Sequence, residues 1–247
     1  MATAEHAAHS PLTQFEIKPL IQIHFGGLDL SFTNSALMMV IALALAITLL
    51  IVGTRKRSVV PGRLQSIAEL SYEFVANIVR ESVGAEGRAY FPLVFSLFIF
   101  VLFGNMLGMI PYGFTFTSHI VVTFTMALMV FLLVTILGFA KHGLHFFTFF
   151  CPPGVSWILM PLMIPIEIIS YLSRPISLGV RLFANMTAGH IMLKVFAGFI
   201  PTLGVLGVLP LGFVFALTGL ELLIAFLQAY VFAVLTSLYI NDALHLH

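Results

Sequence analysis

The chain alternates long apolar runs with short polar breaks. Ala36 to Val52 ("ALMMVIALALAITLLIV") carries no charge, and Phe32 and Gly53 extend the apolar character on either side. At about 1.5 Å per residue such a run crosses roughly 30 Å of hydrocarbon. Arg55, Lys56 and Arg57 follow at once, and then Arg63. Basic residues at this end predict that it faces the cytoplasm and that residues 1–30 lie outside. Residues 63–83 follow a different pattern. Leu64, Ile67, Leu70, Phe74, Ile78 and Val79 recur at helical spacing, with Glu69, Glu73, Arg80 and Glu81 between them. The spacing predicts an amphipathic helix on the cytoplasmic membrane surface, as a packed linker or a docking element. From Ala89 to Ala140 there is no Asp, Glu, Lys or Arg. "GMIPYG" at 108–113 divides that run into spans near 90–111 and 119–140, and Lys141 closes the second on the cytoplasmic side. Asn105 falls inside the first span, where its amide needs protein or water as a partner.

Two further apolar segments, near 154–198 and 202–241, are joined around "GFIPTLG". Each exceeds the twenty or so residues that cross a bilayer upright. Strong tilt, or helices lying within the membrane and broken at Pro161, Pro165, Pro175 and Pro210, is expected. The fold class is an all-α membrane protein. It should hold about five membrane-crossing or embedded helices plus the surface helix, and end in a long tilted hairpin at about 154–241. Residues 1–30 form an outside N-terminal segment and 31–247 a single membrane domain, with the C-terminus in the cytoplasm.

Composition strengthens this reading. Of 247 residues, 60% are hydrophobic and 9% charged, against about a quarter charged in soluble domains. The net charge of +1 argues against nucleic acid as a partner. Cys151 is the only cysteine, so neither a disulfide framework nor a thiolate metal site is expected. No cofactor or metal motif is present. The first thirty residues lack the basic start, short apolar run and cleavage site of a removable signal peptide.

Few charges remain in the last hundred residues, so their spacing is informative. Between His142 and Asn241 only Glu167, Arg174, Arg181, Lys194 and Glu221 are charged. Glu167, Ser170, Arg174, Ser177, Arg181 and Asn185 follow one another at intervals of 3, 4, 3, 4 and 4. At about 100° per residue they fall within roughly 80° of helix circumference, a polar stripe about 27 Å long. His190 points to about the opposite side. On the next segment Thr218, Glu221, Ala225 and Gln228 share a face. Lys194, nearer a helix end, suits snorkelling to the interface. Arg174 suits either snorkelling or pairing with Glu167. Ionisable groups deep in a bilayer cost several kcal/mol and mark ion paths. Histidine titrates near neutrality, whereas arginine keeps its proton. A fixed cation at Arg181 therefore blocks direct proton flow and attracts any carboxylate brought beside it.

With "SRPISLGVRLFANMTAGH", "ELLIAFLQAYVFAVLTSLY" and "GNMLGMIPY" in this order, nearly the whole chain resembles subunit a of the membrane sector of F-type ATP synthase. The resemblance implies a non-catalytic stator subunit in a bacterial inner membrane. Its partners would be a ring of c subunits, the b-subunit peripheral stalk and the remaining subunits of the complex. The family's essential arginine matches Arg181, which separates two offset half-channels. Outer half-channel positions match Asn105, Asn185, His190, Glu221 and Gln228, and inner ones match Glu167 and Ser170. Many bacterial members carry Glu at the position of His190 and His at that of Glu221; the pair is exchanged here, which suggests that the two side chains act as one relay. Gly108 stands where some relatives carry an acidic residue. Two other classes remain open on the residues alone. One is a secondary transporter with Arg181 binding an anion, although the halves show no internal repeat. The other is a structural scaffold, which would not need aligned ionisable stripes. His190 in the path favours H⁺ over Na⁺.

Overall fold

A computed structural model describes residues 13–22, 24–25, 28–29, 31–55, 58, 60–110, 113–151 and 159–245. Lys56 and Arg57 of the basic cluster, Pro111 and Tyr112 of "GMIPYG", and the start of the predicted hairpin at 154–158 lie outside the described residues. Six α-helices dominate: α1 (Asn34–Arg55), α2 (Arg63–Val83), α3 (Phe91–Gly108), α4 (Ile120–His142), α5 (Met160–Thr202) and α6 (Val208–Leu244). Five of the helical segments are long and apolar enough to cross a membrane. The amphipathic α2 is the exception, and its bounds coincide with the predicted 63–83. The chain is an all-α membrane protein with one small addition. Ahead of α1, strands β1 (Pro19–Ile21) and β4 (Phe32–Thr33) pair antiparallel, and β2 (His24–Phe25) pairs with β3 (Leu28–Asp29). Thr33 then caps α1, its Oγ1 accepting from the Ala36 N–H at 3.3 Å.

The helices distribute their residues as lipid-immersed elements do. On α1 only the small Ser35, Ala42, Ala46 and Gly53 are buried, while Val40, Leu43, Ile47 and Ile51 are exposed. On α4 a single seam of Thr123, Met126, Ala127, Val130, Val134 and Gly138 is buried. The apolar face predicted for α2 divides. Ile78 and Val79 are buried with Ala68, Val75 and Val83, whereas Leu64, Ile67 and Leu70 are exposed. Exposed leucines beside exposed Glu69 and Glu73 suit a helix lying in a membrane interface.

The prolines do not break the long helices. α5 continues through Pro161, Pro165 and Pro175, and α6 through Pro210. Pro161 and Pro210 sit in first turns, where an N–H would lack an intrahelical partner anyway. Pro165 and Pro175 each remove one ladder bond that the remainder of a 43-residue helix tolerates. At about 1.5 Å per residue α5 is about 64 Å long, twice the hydrocarbon thickness, so it cannot stand upright within it.

Packing divides the chain into two compact units. The first comprises 1–68, 99–119 and 182–229, and the second 69–98, 120–181 and 230–247. In the first, α5 and α6 run antiparallel: Asn185 meets Gln228, His190 meets Glu221, and the Phe196 and Phe213 rings stack at 5.6 Å. In the second, Thr135 Oγ1 and the Tyr171 hydroxyl lie 2.7 Å apart, and Phe131 packs on Tyr171. Gly179 lets α5 approach α4 closely, since a Cβ there would lie 2.9 Å from the Phe124 Cα. At the end of α4, Lys141 Nζ donates to Glu86 Oε2 at 2.6 Å and holds that carboxyl below the usual carboxylate range.

Candidate functional site

The first unit gathers a buried polar cluster in apolar surroundings. Asn105 is fully buried, and Glu221, Gln228 and His190 are 3%, 5% and 9% exposed. Helix α5 presents His190 inward because it lies on the buried side with Leu182 and Met186, away from the exposed Arg181. This is the opposite-face placement that the helical period predicts. Both nitrogens of the imidazole have polar partners. Nδ1 donates to the Met186 carbonyl at 3.0 Å and makes an ion-pair contact with Glu221 Oε1. Nε2 lies 3.0 Å from the Gly108 carbonyl and 2.9 Å from Thr115 Oγ1.

That geometry has a chemical reading. Carbonyl oxygens only accept, so Met186 and Gly108 are both satisfied when both ring nitrogens carry hydrogen. This is the imidazolium, the form that pairs with a carboxylate. The Thr115 hydroxyl can instead turn and donate to a bare Nε2, so the neutral ring also keeps a partner. Glu221 Oε2 has no hydrogen-bond partner among the described residues. A buried oxygen without a protein partner is costly. Two glycines make room for the cluster. A Cβ at 189 would fall 2.8 Å from Glu221 Oε1, and one at 108 would fall 2.3 Å from Thr115 Oγ1. An acidic side chain at 108 does not fit this arrangement.

Neighbouring amides extend the cluster along α6. Asn185 Nδ2 donates to Gln228 Oε1 at 3.1 Å, and Asn105 Nδ2 donates to the Ala225 carbonyl at 3.1 Å. The loop after α3 is tied in through Thr187 Oγ1, which donates to the Ser118 carbonyl at 3.2 Å. Thr115 and the Gly108 carbonyl escaped the sequence reading. A threonine in a loop carries no periodic signal, and a backbone oxygen carries none at all.

The second unit holds the other polar positions. Glu167 and Arg174 are half-buried, and Ser170, Ser177 and Arg181 are exposed. Arg174 pairs with Asp242 rather than Glu167: Nη1 and Oδ2 are 2.9 Å apart. Tyr239, Tyr171 and Phe149 surround its guanidinium, with centroids at 5.0, 5.2 and 5.6 Å. The two arginines of the stripe thus differ. Arg174 is neutralised and caged by aromatic faces, whereas among the described residues no carboxylate pairs with Arg181. Lys194 is exposed two turns before the end of α5, as a snorkelling lysine would be.

Comparison with known proteins agrees with the sequence resemblance. The family described as ATP synthase A chain matches residues 36–241. "ATP synthase subunit a" of Rhodospirillum rubrum is 58% identical over 240 residues, covering 97% of this chain and 100% of that protein. The protein of the same name from Chelativorans sp. (strain BNC1) is 59% identical over 245 residues, covering 96% and 98%. That from Mesorhizobium japonicum is 59% identical over 242 residues, covering 95% and 96%.

Proposed function

The chain belongs to the ATP synthase A chain family, and on that premise we propose that it is the proton-conducting stator subunit of a rotary F-type ATP synthase. It performs no catalysis of its own. It lies in a bacterial inner membrane beside a ring of c subunits, with the b-subunit stalk and the remaining subunits of the complex as further partners. Residues 31–247 act as one membrane domain, and 1–30 lie outside with the N-terminus. Protons enter through Asn105, Asn185, His190, Glu221 and Gln228, load a ring carboxyl, and leave to the cytoplasm past Glu167 and Ser170. Arg181 separates the two half-channels and attracts each ring carboxylate as it passes.

One observation carries this reading. Arg181 is a permanently charged group on an exposed face of a membrane helix, with no carboxylate paired to it among the described residues. Such a charge calls for a counter-ion from another chain. The His190–Glu221 contact supports H⁺ as the ion, because the imidazole finds partners in both protonation states.

Single cysteines at Ser170 and Gln228, in a Cys151→Ala background, test the two half-channels. Position 170 should react with small impermeant thiol reagents from the cytoplasm. Position 228 should react from outside, more slowly because Gln228 is buried and bonded to Asn185. Failure of both to react from either side would mean that these faces are dry packing surfaces. Gly108→Ala offers a second check. The new methyl would displace Thr115 from His190, and ATP-driven proton pumping in membrane vesicles should fall about tenfold, the loss of one hydrogen bond in the path. Subunit level, followed by immunoblot, should hold.

A further inference from the structure

The segment that precedes the first membrane helix reaches the His190 ring through Phe15. We infer that this segment, through Phe15, is a positioning element for the His190 imidazole and shields it from bulk water. The inference rests on the outer half-channel reading of His190. Phe15 ends a short helical turn, Thr13–Phe15. Its ring faces the His190 ring at 6.5 Å between centroids and 53° between planes, within the range of an aromatic pair. The imidazole's neighbours named above are hydrogen-bonding groups, and Phe15 adds an apolar aromatic face to them. Gln14, beside it, has a buried amide nitrogen without a hydrogen-bond partner among the described residues.

The segment is held in place by more than this contact. Asn34, the first residue of α1, accepts from the Lys18 N–H at 3.1 Å through Oδ1 and donates to the Glu16 carbonyl at 3.1 Å through Nδ2. Its own N–H donates to the Lys18 carbonyl at 3.1 Å. Strand β1 pairs with β4 just beyond, Pro19 opposite Thr33 and Ile21 opposite Phe32. A strap fixed at three points on the start of α1 thus sets where Phe15 rests. Among the described residues, the titratable group facing His190 is Glu221 from α6; α3 offers the Gly108 carbonyl and its following loop the Thr115 hydroxyl. The strap's own charges, Glu16 and Lys18, are exposed and lie 3.9 Å from each other.

The test uses the intact ATP synthase complex in vesicles, measuring ATP synthesis against the pH of the outer compartment at fixed inner pH. Phe15→Ala should lower the rate several-fold and move the outer-pH midpoint by about half a unit, since the imidazole gains water contact. Phe15→Tyr should restore both, and Asn34→Ala, which loosens the strap from a distance, should move the midpoint in the same direction. In a Cys151→Ala background, a bulky impermeant maleimide on Phe15→Cys should block synthesis, while the same label on the exposed Ile17→Cys should not. Wild-type midpoints for both Phe15→Ala and Asn34→Ala, or full synthesis with position 15 labelled, would overturn the inference. If Phe15→Ala fails to assemble, Asn34→Ala and the labelling pair decide. His190→Ala separates the two levels. Its retention of synthesis would sink the half-channel reading itself, whereas its loss beside unaltered strap variants would sink only the role of Phe15.

Discussion

Arg181→Ala is expected to abolish coupled ATP synthesis while leaving the subunit in the membrane. The side chain is exposed, so its removal opens no buried cavity. On the proposed reading the substitution removes the fixed charge that would meet each ring carboxylate and keep the half-channels apart. Loss of a preorganised charge from a reaction path is felt as roughly two orders of magnitude or more. Arg181→Lys should fail nearly as badly, because a compact ammonium lacks the planar fork that holds a moving carboxylate in two places. ATP synthesis and ATP-driven pumping in vesicles measure the effect. Substantial coupled synthesis by the alanine variant would remove the basis of the stator assignment.

The second large effect is expected at His190 and Glu221. His190→Glu puts two carboxyls together, and repulsion should keep one protonated and slow the relay. It also turns a carboxylate toward the Gly108 and Met186 carbonyls, which can offer it no hydrogen. Glu221→His alone leaves two imidazoles and no acid. The double exchange returns one acid and one imidazole to the site, and pumping should recover in part. A double-mutant cycle should show coupling of about 1 kcal/mol or more. Recovery stays incomplete because position 190 is lined by acceptors built for an imidazole. Strictly additive losses would mean that the two residues act separately, leaving the Arg181 assignment intact.

Local periodicity made the helices legible and left their partnerships hidden. The surface helix at 63–83 and the spans near 90–111 and 119–140 follow from where charges fall, because burial in lipid excludes charge residue by residue. The polar stripe reads straight across Pro175, but the sequence leaves open whether the long segment runs unbroken through all its prolines, since a proline's cost is offset by the packing of a helix whose length no local signal announces. The opposite placement of His190 and Arg181 followed from the 100° step. Arg174 shows the limit: its partner Asp242 lies just beyond the apolar run, on another helix, and antiparallel pairing brings them together. Asn105 was legible as a group needing a partner, but that partner is a backbone carbonyl, which no side-chain pattern encodes.

The most direct test of the central claim is an electron cryo-microscopy map of the intact complex. The account predicts that the ring lies against the exposed side of α5 that carries Ser170, Ser177 and Arg181, with a ring carboxyl able to reach the Arg181 guanidinium. Lipid against that face, with the ring seated elsewhere on the chain, would contradict it.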